Sequence, residues 1–145
     1  MCVRKAGSFE SMAEQYPERT ALIYENQKMT YQELRLRSHR IGSLLYQDGQ
    51  CVCKNQRVAI IMEKGWEQIV AVLGILVAGC AYVPIDASLP SERIQFILDD
   101  AGIDVIMTQK KFLGQEVWMQ SRIIIDVTTK ANYPMEEGII ALPQK

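Results

Sequence analysis

The sequence predicts an α/β protein whose mostly parallel sheet is flanked by helices. Three observations carry that expectation. Strand-length apolar segments and amphipathic helical segments alternate four times along the chain, the pattern of a parallel sheet with right-handed crossovers. The run Arg57-Val58-Ala59-Ile60-Ile61-Met62 is continuously apolar after its first residue, which suits a strand covered on both faces. Helix starts and stops are also marked by residues whose chemistry favours caps.

Taken in order, a short polar start precedes a strand over Thr20 to Tyr24. Glu25-Asn26-Gln27-Lys28 then reads as a turn returning the chain to Met29. Thr30 is placed as an N-cap, and Glu33 three residues on closes a capping box. Met29 and Leu34 fall at the two positions of a hydrophobic staple. The helix that follows shows one face to the core through Leu34, Ile41 and Leu45, with Arg35, Arg37 and Arg40 mostly elsewhere, and Asp48-Gly49 is its expected stop. After the strand over residues 57–62, Trp66, Ile69, Val70, Leu73 and Val77 keep helical spacing while Val72, Ile75 and Leu76 load the other side. That helix is expected to be sandwiched rather than exposed. Gly79 can adopt the left-handed conformation that stops it, and Cys80 to Ile85 continues as a short strand broken by Pro84 and Asp86. Pro90 opens a helix in which Ile94, Ile97, Leu98 and Ala101 fall at i, i+3, i+4 and i+7, with Gly102 as its cap. A strand over Ile103 to Met107, a poorly defined helical stretch from Phe112 to Met119 and a strand over Arg122 to Asp126 complete the pattern. Residues 1–127 thus read as one folded unit, and 128–145, with Pro134, Gly138 and Pro143, as a linker or tail.

Composition bounds the function. With 145 residues, 48% hydrophobic, the chain is the size of one core. Its 16 basic and 17 acidic residues leave a net charge of -1 without a basic stripe, which argues against a nucleic-acid partner. Cys2, Cys51, Cys53 and Cys80 lack metal-knuckle spacing, and the single histidine, His39, completes no tetrahedral set. Free thiols and the absence of a cationic-then-apolar leader point to a reduced, cytoplasmic setting. The uncharged run from Ile69 to Ile85 is just short of a membrane span and contains Gly74, Gly79 and Pro84, so a buried helix and strand are expected instead, and no membrane partner. No glycine-rich phosphate loop, dinucleotide fingerprint, nucleophile elbow or H-E-x-x-H occurs. His39 between arginines and the pair Asp99-Asp100 are expected to be solvated helix faces.

Two patches rise above this background. Met29-Thr30-Tyr31-Gln32-Glu33-Leu34 resembles the first core motif of adenylation domains of nonribosomal peptide synthetases, within the adenylate-forming ligases. Leu76-Val77-Ala78-Gly79-Cys80-Ala81-Tyr82-Val83-Pro84-Ile85-Asp86 resembles the second. Leu89-Pro90-Ser91-Glu92-Arg93-Ile94, Leu98-Asp99-Asp100-Ala101-Gly102 and Met107-Thr108-Gln109 are similar to the stretch that follows, and Phe9 to Tyr24 to the family's opening segment. The likeness runs from about Ser8 to Asp126 in order and spacing. Val77, Cys80 and Ala87 stand where the family usually has Lys, Gly and Pro.

The resemblance implies the N-terminal portion of an adenylate-forming ligase large subdomain. The complete domain would use ATP and Mg²⁺ to activate an amino or related acid and would load it on a carrier protein. The family's phosphate loop, acid-pocket motifs and catalytic lysine have no counterpart here, and Thr128-Thr129-Lys130 has no glycine for a phosphate cradle. No residue is therefore assigned to catalysis, cofactor or metal, and the chain is not expected to catalyse adenylation alone. Thr30, Tyr31, Glu33, Leu34, Ala78, Gly79, Ala81, Tyr82, Pro84 and Asp86 are expected to be structural. Ala78, Gly79 and Ala81 would be small because a helix end and a strand pack closely there. The resemblance further implies docking of an MbtH-like protein near Leu89, Pro90, Ser91 and Arg93. A different expectation is a non-catalytic interaction module, or half of a split domain pairing with a separately encoded remainder, with apolar surface exposed over part of Ile69 to Ile85.

Overall fold

The computed structural model describes residues 2–47, 50–51, 57–114, 117–120 and 122–128. Its centre is a four-stranded, all-parallel sheet. Strands Arg57–Met62 (β5), Ala81–Asp86 (β6), Val105–Thr108 (β7) and Ile123–Asp126 (β8) lie in the order β6-β5-β7-β8. Before them come helix Cys2–Gln15 (α1), the antiparallel hairpin Thr20–Tyr24 (β1) and Gln27–Thr30 (β2), helix Tyr31–Ser43 (α2), and a short pair, Tyr46–Gln47 (β3) with Gln50–Cys51 (β4). Helix Trp66–Val77 (α3) joins β5 to β6, and Ser91–Ala101 (α4) joins β6 to β7.

Residues alternate across a strand, so β5 splits its apolar load between two layers. Val58, Ile60 and Met62 enter a cluster with Leu34, Ile41, Val70 and Ile75 of α2 and α3. Ala59 and Ile61 enter a second cluster with Ile94 and Leu98 of α4 and with Trp118. The sheet is thus covered on both faces, as its run of apolar residues demands. Helices α2 and α3 meet at Gly74, where an added Cβ would stand 2.9 Å from the Ser38 carbonyl oxygen and 2.8 Å from Ile41 Cγ2. Only a glycine admits that approach.

The caps form where expected. Glu33 N–H donates to Thr30 Oγ1 at 3.1 Å, and Thr30 N–H donates to Glu33 Oε1 at 3.1 Å, completing the capping box of α2. Gly79 (φ 82°) ends α3 in the left-handed region, with Cys80 N–H donating to Ile75 O at 3.0 Å and Gly79 N–H to Leu76 O at 3.0 Å. Gly102 (φ 68°) repeats the arrangement after α4, through Ile103 N–H to Leu98 O at 2.9 Å.

Several expectations are corrected. The polar start is helical: α1 docks through Phe9 and the buried Ala13. The hairpin turn is tighter than four residues, because Tyr24 already pairs with Gln27 and Glu25 takes a positive φ of 55°. Helix α2 stops at Ser43, where the Ser43 hydroxyl donates to Arg40 O at 2.7 Å and competes with the helical ladder; Asp48 and Gly49 lie outside the described residues. Pro84 does not break β6 but sits within it. The strand is a sheet edge, so a missing N–H on its open side costs no ladder bond. Pro90 occupies the N-cap position of α4 rather than its first turn, and the stretch after β7 resolves into two short 3₁₀ turns, Lys110–Phe112 and Val117–Met119. Helix α3 is largely covered, yet Ile69 is 40% exposed, and it is the one large apolar side chain of the Ile69 to Ile85 run classed as exposed. His39 is not solvated: with Arg35 it grips the Glu10 carboxylate of α1, Arg35 Nε donating to Glu10 Oε1 at 2.8 Å and the His39 ring bonding Oε2. Asp99 and Asp100, by contrast, are exposed on α4 as expected, and Asp99 pairs there with Arg122. The tail expected over 128–145 lies, beyond Thr128, outside the described residues.

Burial pushes the Glu10 carboxyl up, but the hydrogen bond and charge of His39, then those of Arg35, outweigh it and hold the carboxyl below its ordinary value. A depressed carboxyl stabilises the fold above its unfolded pKa, and that contribution disappears as pH falls through the folded value. Acid titration of stability should therefore lose slope in that interval when Glu10→Gln is introduced; parallel profiles would contradict the clasp. Gly74→Ala should cost about 1–3 kcal/mol by overpacking the α2–α3 contact, and Thr30→Ala about 1 kcal/mol by loss of the cap, both read from denaturant midpoints.

Candidate functional site

In a parallel sheet every strand ends on the same edge, and open α/β sheets bind ligands outside that edge where the strand order reverses. The reversal here lies between β5 and β7, since the chain leaves β5 for β6 on one side and returns to β7 on the other. The turns after β5, β6, β7 and β8 form the candidate site.

Each turn is held by side chains. After β6, Asp86 Oδ1 accepts from the Ser88 N–H at 2.9 Å and from its hydroxyl at 2.8 Å. The Ser88 backbone bond, then the hydroxyl, hold the exposed Asp86 carboxyl below its usual range. After β8, Asp126 Oδ1 accepts likewise from Thr128 N–H at 2.9 Å, and Thr128 Oγ1 accepts from Lys110 N–H at 3.2 Å. After β5, the turn Glu63-Lys64-Gly65 is reached from three directions. Tyr24 of β1 donates its hydroxyl to Lys64 O at 3.1 Å, Lys111 Nζ lies 2.7 Å from Glu63 Oε1, and the buried Gln109 bonds the Glu63 backbone. A groove of about 420 Å³ opens along the ends of β5 and β6, walled by Met62, Lys64, Gln68, Ile85, Ser88 and Phe112 among others. A smaller one of about 260 Å³ lies between the β1–β2 hairpin and the helices, with the Arg37 guanidinium 4.8 Å over the Trp66 ring.

The residues singled out from the sequence divide into two layers. In the first motif, Thr30 and Glu33 close the cap, Tyr31 N–H donates to Arg19 O at 2.9 Å with its ring 6.3 Å from Phe9, and Leu34 is buried. In the second, Ala78 is buried in the cluster that holds Leu34, Tyr82 packs against it half-buried, Pro84 lies on the sheet edge and Asp86 holds its turn. Close packing accounts for Ala78 and the positive φ for Gly79. Ala81 is exposed, opposite Arg57 at the start of β6, so the packing reason expected for it does not apply. Leu89, Pro90, Ser91 and Arg93 lie on the other side of the sheet from the first motif. Leu89 packs into the α4 cluster, Pro90 is exposed, Ser91 is half-buried, and the exposed Arg93 places its guanidinium 5.6 Å from the Phe96 ring. Glu63 and Lys111 were not singled out, and Gln109 entered only as the last residue of the family-like stretch Met107-Thr108-Gln109; the signal for their role was their place just beyond two apolar strands of a parallel sheet.

Among the described residues no three of His, Cys, Asp or Glu stand together as metal ligands, and the polar atoms at the strand ends are largely spent on the turns themselves. No described helix is long and apolar enough to cross a membrane.

Comparison with known proteins gives the family. The family model described as AMP-binding enzyme matches residues 9–139. Tyrocidine synthase 1 of Brevibacillus parabrevis is 41% identical over 102 residues, 70% of this chain and 9% of that protein. Surfactin synthase subunit 1 of Bacillus subtilis is 41% identical over 133 residues, 92% of this chain and 4% of that protein. Among solved structures, the nonribosomal peptide synthetase FmoA3 superposes with a TM-score of 0.81 at 31% identity, covering 96% of this chain and 15% of that one. The chain thus spans a small fraction of the relatives it matches. With its parallel sheet, its two motifs and these likenesses in register, the chain belongs to the AMP-binding enzyme family and corresponds to the N-terminal part of a nonribosomal peptide synthetase adenylation domain.

Proposed function

We propose that this chain is the scaffold portion of a domain which, when complete, uses ATP and Mg²⁺ to convert an amino or related carboxylic acid to its acyl adenylate. The domain would then load the acid on a carrier protein in peptide biosynthesis in the cytoplasm. The observation that carries this reading is the superposition of nearly the whole chain on a synthetase of that class. The spent strand-end polar groups support a division of labour, in which the groups that hold the nucleotide and select the acid come from other parts of the domain. The resemblance also suggests an MbtH-like protein as a partner, docking on the turn after β6 and the first turn of α4, where Pro90 and Arg93 are exposed.

A second reading is pairing with a separately encoded remainder of the domain. It is favoured by the exposed Ile23, Leu36 and Ile69, which lie on elements of the first layer. Adding the downstream portion of a related domain should then raise the melting temperature of this chain, and unchanged melting argues against it.

ATP–pyrophosphate exchange should be absent from the 145-residue chain and present, with dependence on an acid and on Mg²⁺, in the polypeptide that joins it to the rest of the domain. Exchange by the isolated chain would overturn the division of labour. In a pull-down with an MbtH-like protein, capture that weakens on Arg93→Glu supports the docking, and no capture refutes it.

A further inference from the structure

The crevice between β5 and β7, where a sheet of this strand order leaves room for a ligand, is filled in this chain by its own side chains. The regular pairing of the two strands ends at Ile61 and Thr108. At that last pair, the fully buried Thr108 donates its hydroxyl to Ile61 O at 2.6 Å. Gln109, 7% exposed, then treats Glu63 as a strand partner. Its Oε1 accepts the Glu63 N–H at 2.9 Å and its Nε2 donates to the Glu63 carbonyl at 3.3 Å. The carboxamide continues the ladder where the backbones diverge, across 46 residues of sequence. Lys111 closes the same turn from outside through Glu63 Oε1.

We propose that Gln109 is a positioning residue: its carboxamide seals the crevice between β5 and β7 and fixes the Glu63-Lys64-Gly65 turn, so that the open space at this edge is the neighbouring groove along β5 and β6. Glu63 and Lys64 form part of that groove's wall, with Gln68, Asp86, Ser88 and Phe112 around it. A primary amide is the one neutral side chain of this length that both accepts and donates, which is what an exposed strand end asks for. An N–H and C=O that lose this partner give up both bonds that tie the turn to β7. The inference concerns the fixing of the turn and stands whether or not the adenylation reading does.

The test is hydrogen exchange of the Glu63 amide in the full polypeptide that carries this chain, followed in a peptide over residues 59–68 and corrected for intrinsic rates. In the parent this amide should be protected. Gln109→Met keeps length and bulk but neither bond, and should speed its exchange about tenfold, a change of the size one such bond controls. Gln109→Glu separates polarity from packing. Ionised, the carboxylate still accepts from the Glu63 N–H but cannot donate to its carbonyl; protonated, it does both, as the amide does. The charged groups around it are Glu63 and Lys64 on the β5–α3 turn, Lys110 and Lys111 beside it, and Asp126 at the end of β8. The excess exchange of Gln109→Glu over the parent should therefore shrink as pH falls through the carboxyl range, while that of Gln109→Met stays constant. Equal protection in the parent and Gln109→Met, or a Gln109→Glu gap that does not narrow, overturns the proposal. Should Gln109→Met fail to fold, the pH dependence of Gln109→Glu decides alone.

Discussion

Strand β5 has to be kept dry on both faces, and the rest of the structure follows from that. Five of its six residues are buried, and fully burying a side chain of the Val or Ile class is worth roughly 1.5–3 kcal/mol. No single layer can cover both sides, so α2 and α3 pack over Val58, Ile60 and Met62 while α4 and Trp118 pack over Ala59 and Ile61. A strand covered in this way needs parallel neighbours reached by helical crossovers, which sets the order β6-β5-β7-β8 and sends all the strand ends to one edge. Within the first layer α2 and α3 approach so closely at Gly74 that a Cβ there would meet the Ser38 carbonyl oxygen and Ile41.

At the shared edge the chemistry is inward-looking. Asp86 and Asp126 bond residues two positions ahead, Gln109 bonds the backbone of a distant turn, and Glu63 is matched by Lys111. These are turn-holding roles. A site built for a nucleotide would instead aim preorganised donors at the phosphates and leave space for them. The chain belongs to the AMP-binding enzyme family, and what its strand ends supply to that fold is a set of turns held by their own side chains.

Legibility in the sequence followed the range of the interaction. The caps at Thr30, Gly79 and Gly102 were readable because each involves residues within a few positions of one another. The burial of β5 was readable because it needs only composition and length. Helix α1 was not, since its docking rests on Phe9, Ala13 and the grip of Arg35 and His39 on Glu10, which lie 25 and 29 residues away in sequence. Pro84 was read as a strand breaker because nothing local says that β6 is an edge. The exposure of Ala81, expected to be packed, also depends on which strand stands beside it. Gln109 belongs with these: the resemblance took in Met107-Thr108-Gln109, but the partner of its carboxamide is set by topology. The two family motifs were legible as a resemblance, and their roles in caps and packing were legible only in part.

On the proposed reading, residues 9–126 supply shape and stability, while acid selection and nucleotide chemistry belong to other segments of the domain. The most direct measurement is a graft: this stretch replaces its counterpart in an adenylation domain of known acid preference, and pyrophosphate exchange is measured across a panel of acids. A folded chimera that keeps the host's order of preference, with its rate within about tenfold, or about 1.4 kcal/mol of transition-state free energy, is the result expected. A folded chimera that takes on a new acid preference would place substrate selection within this chain and contradict the claim.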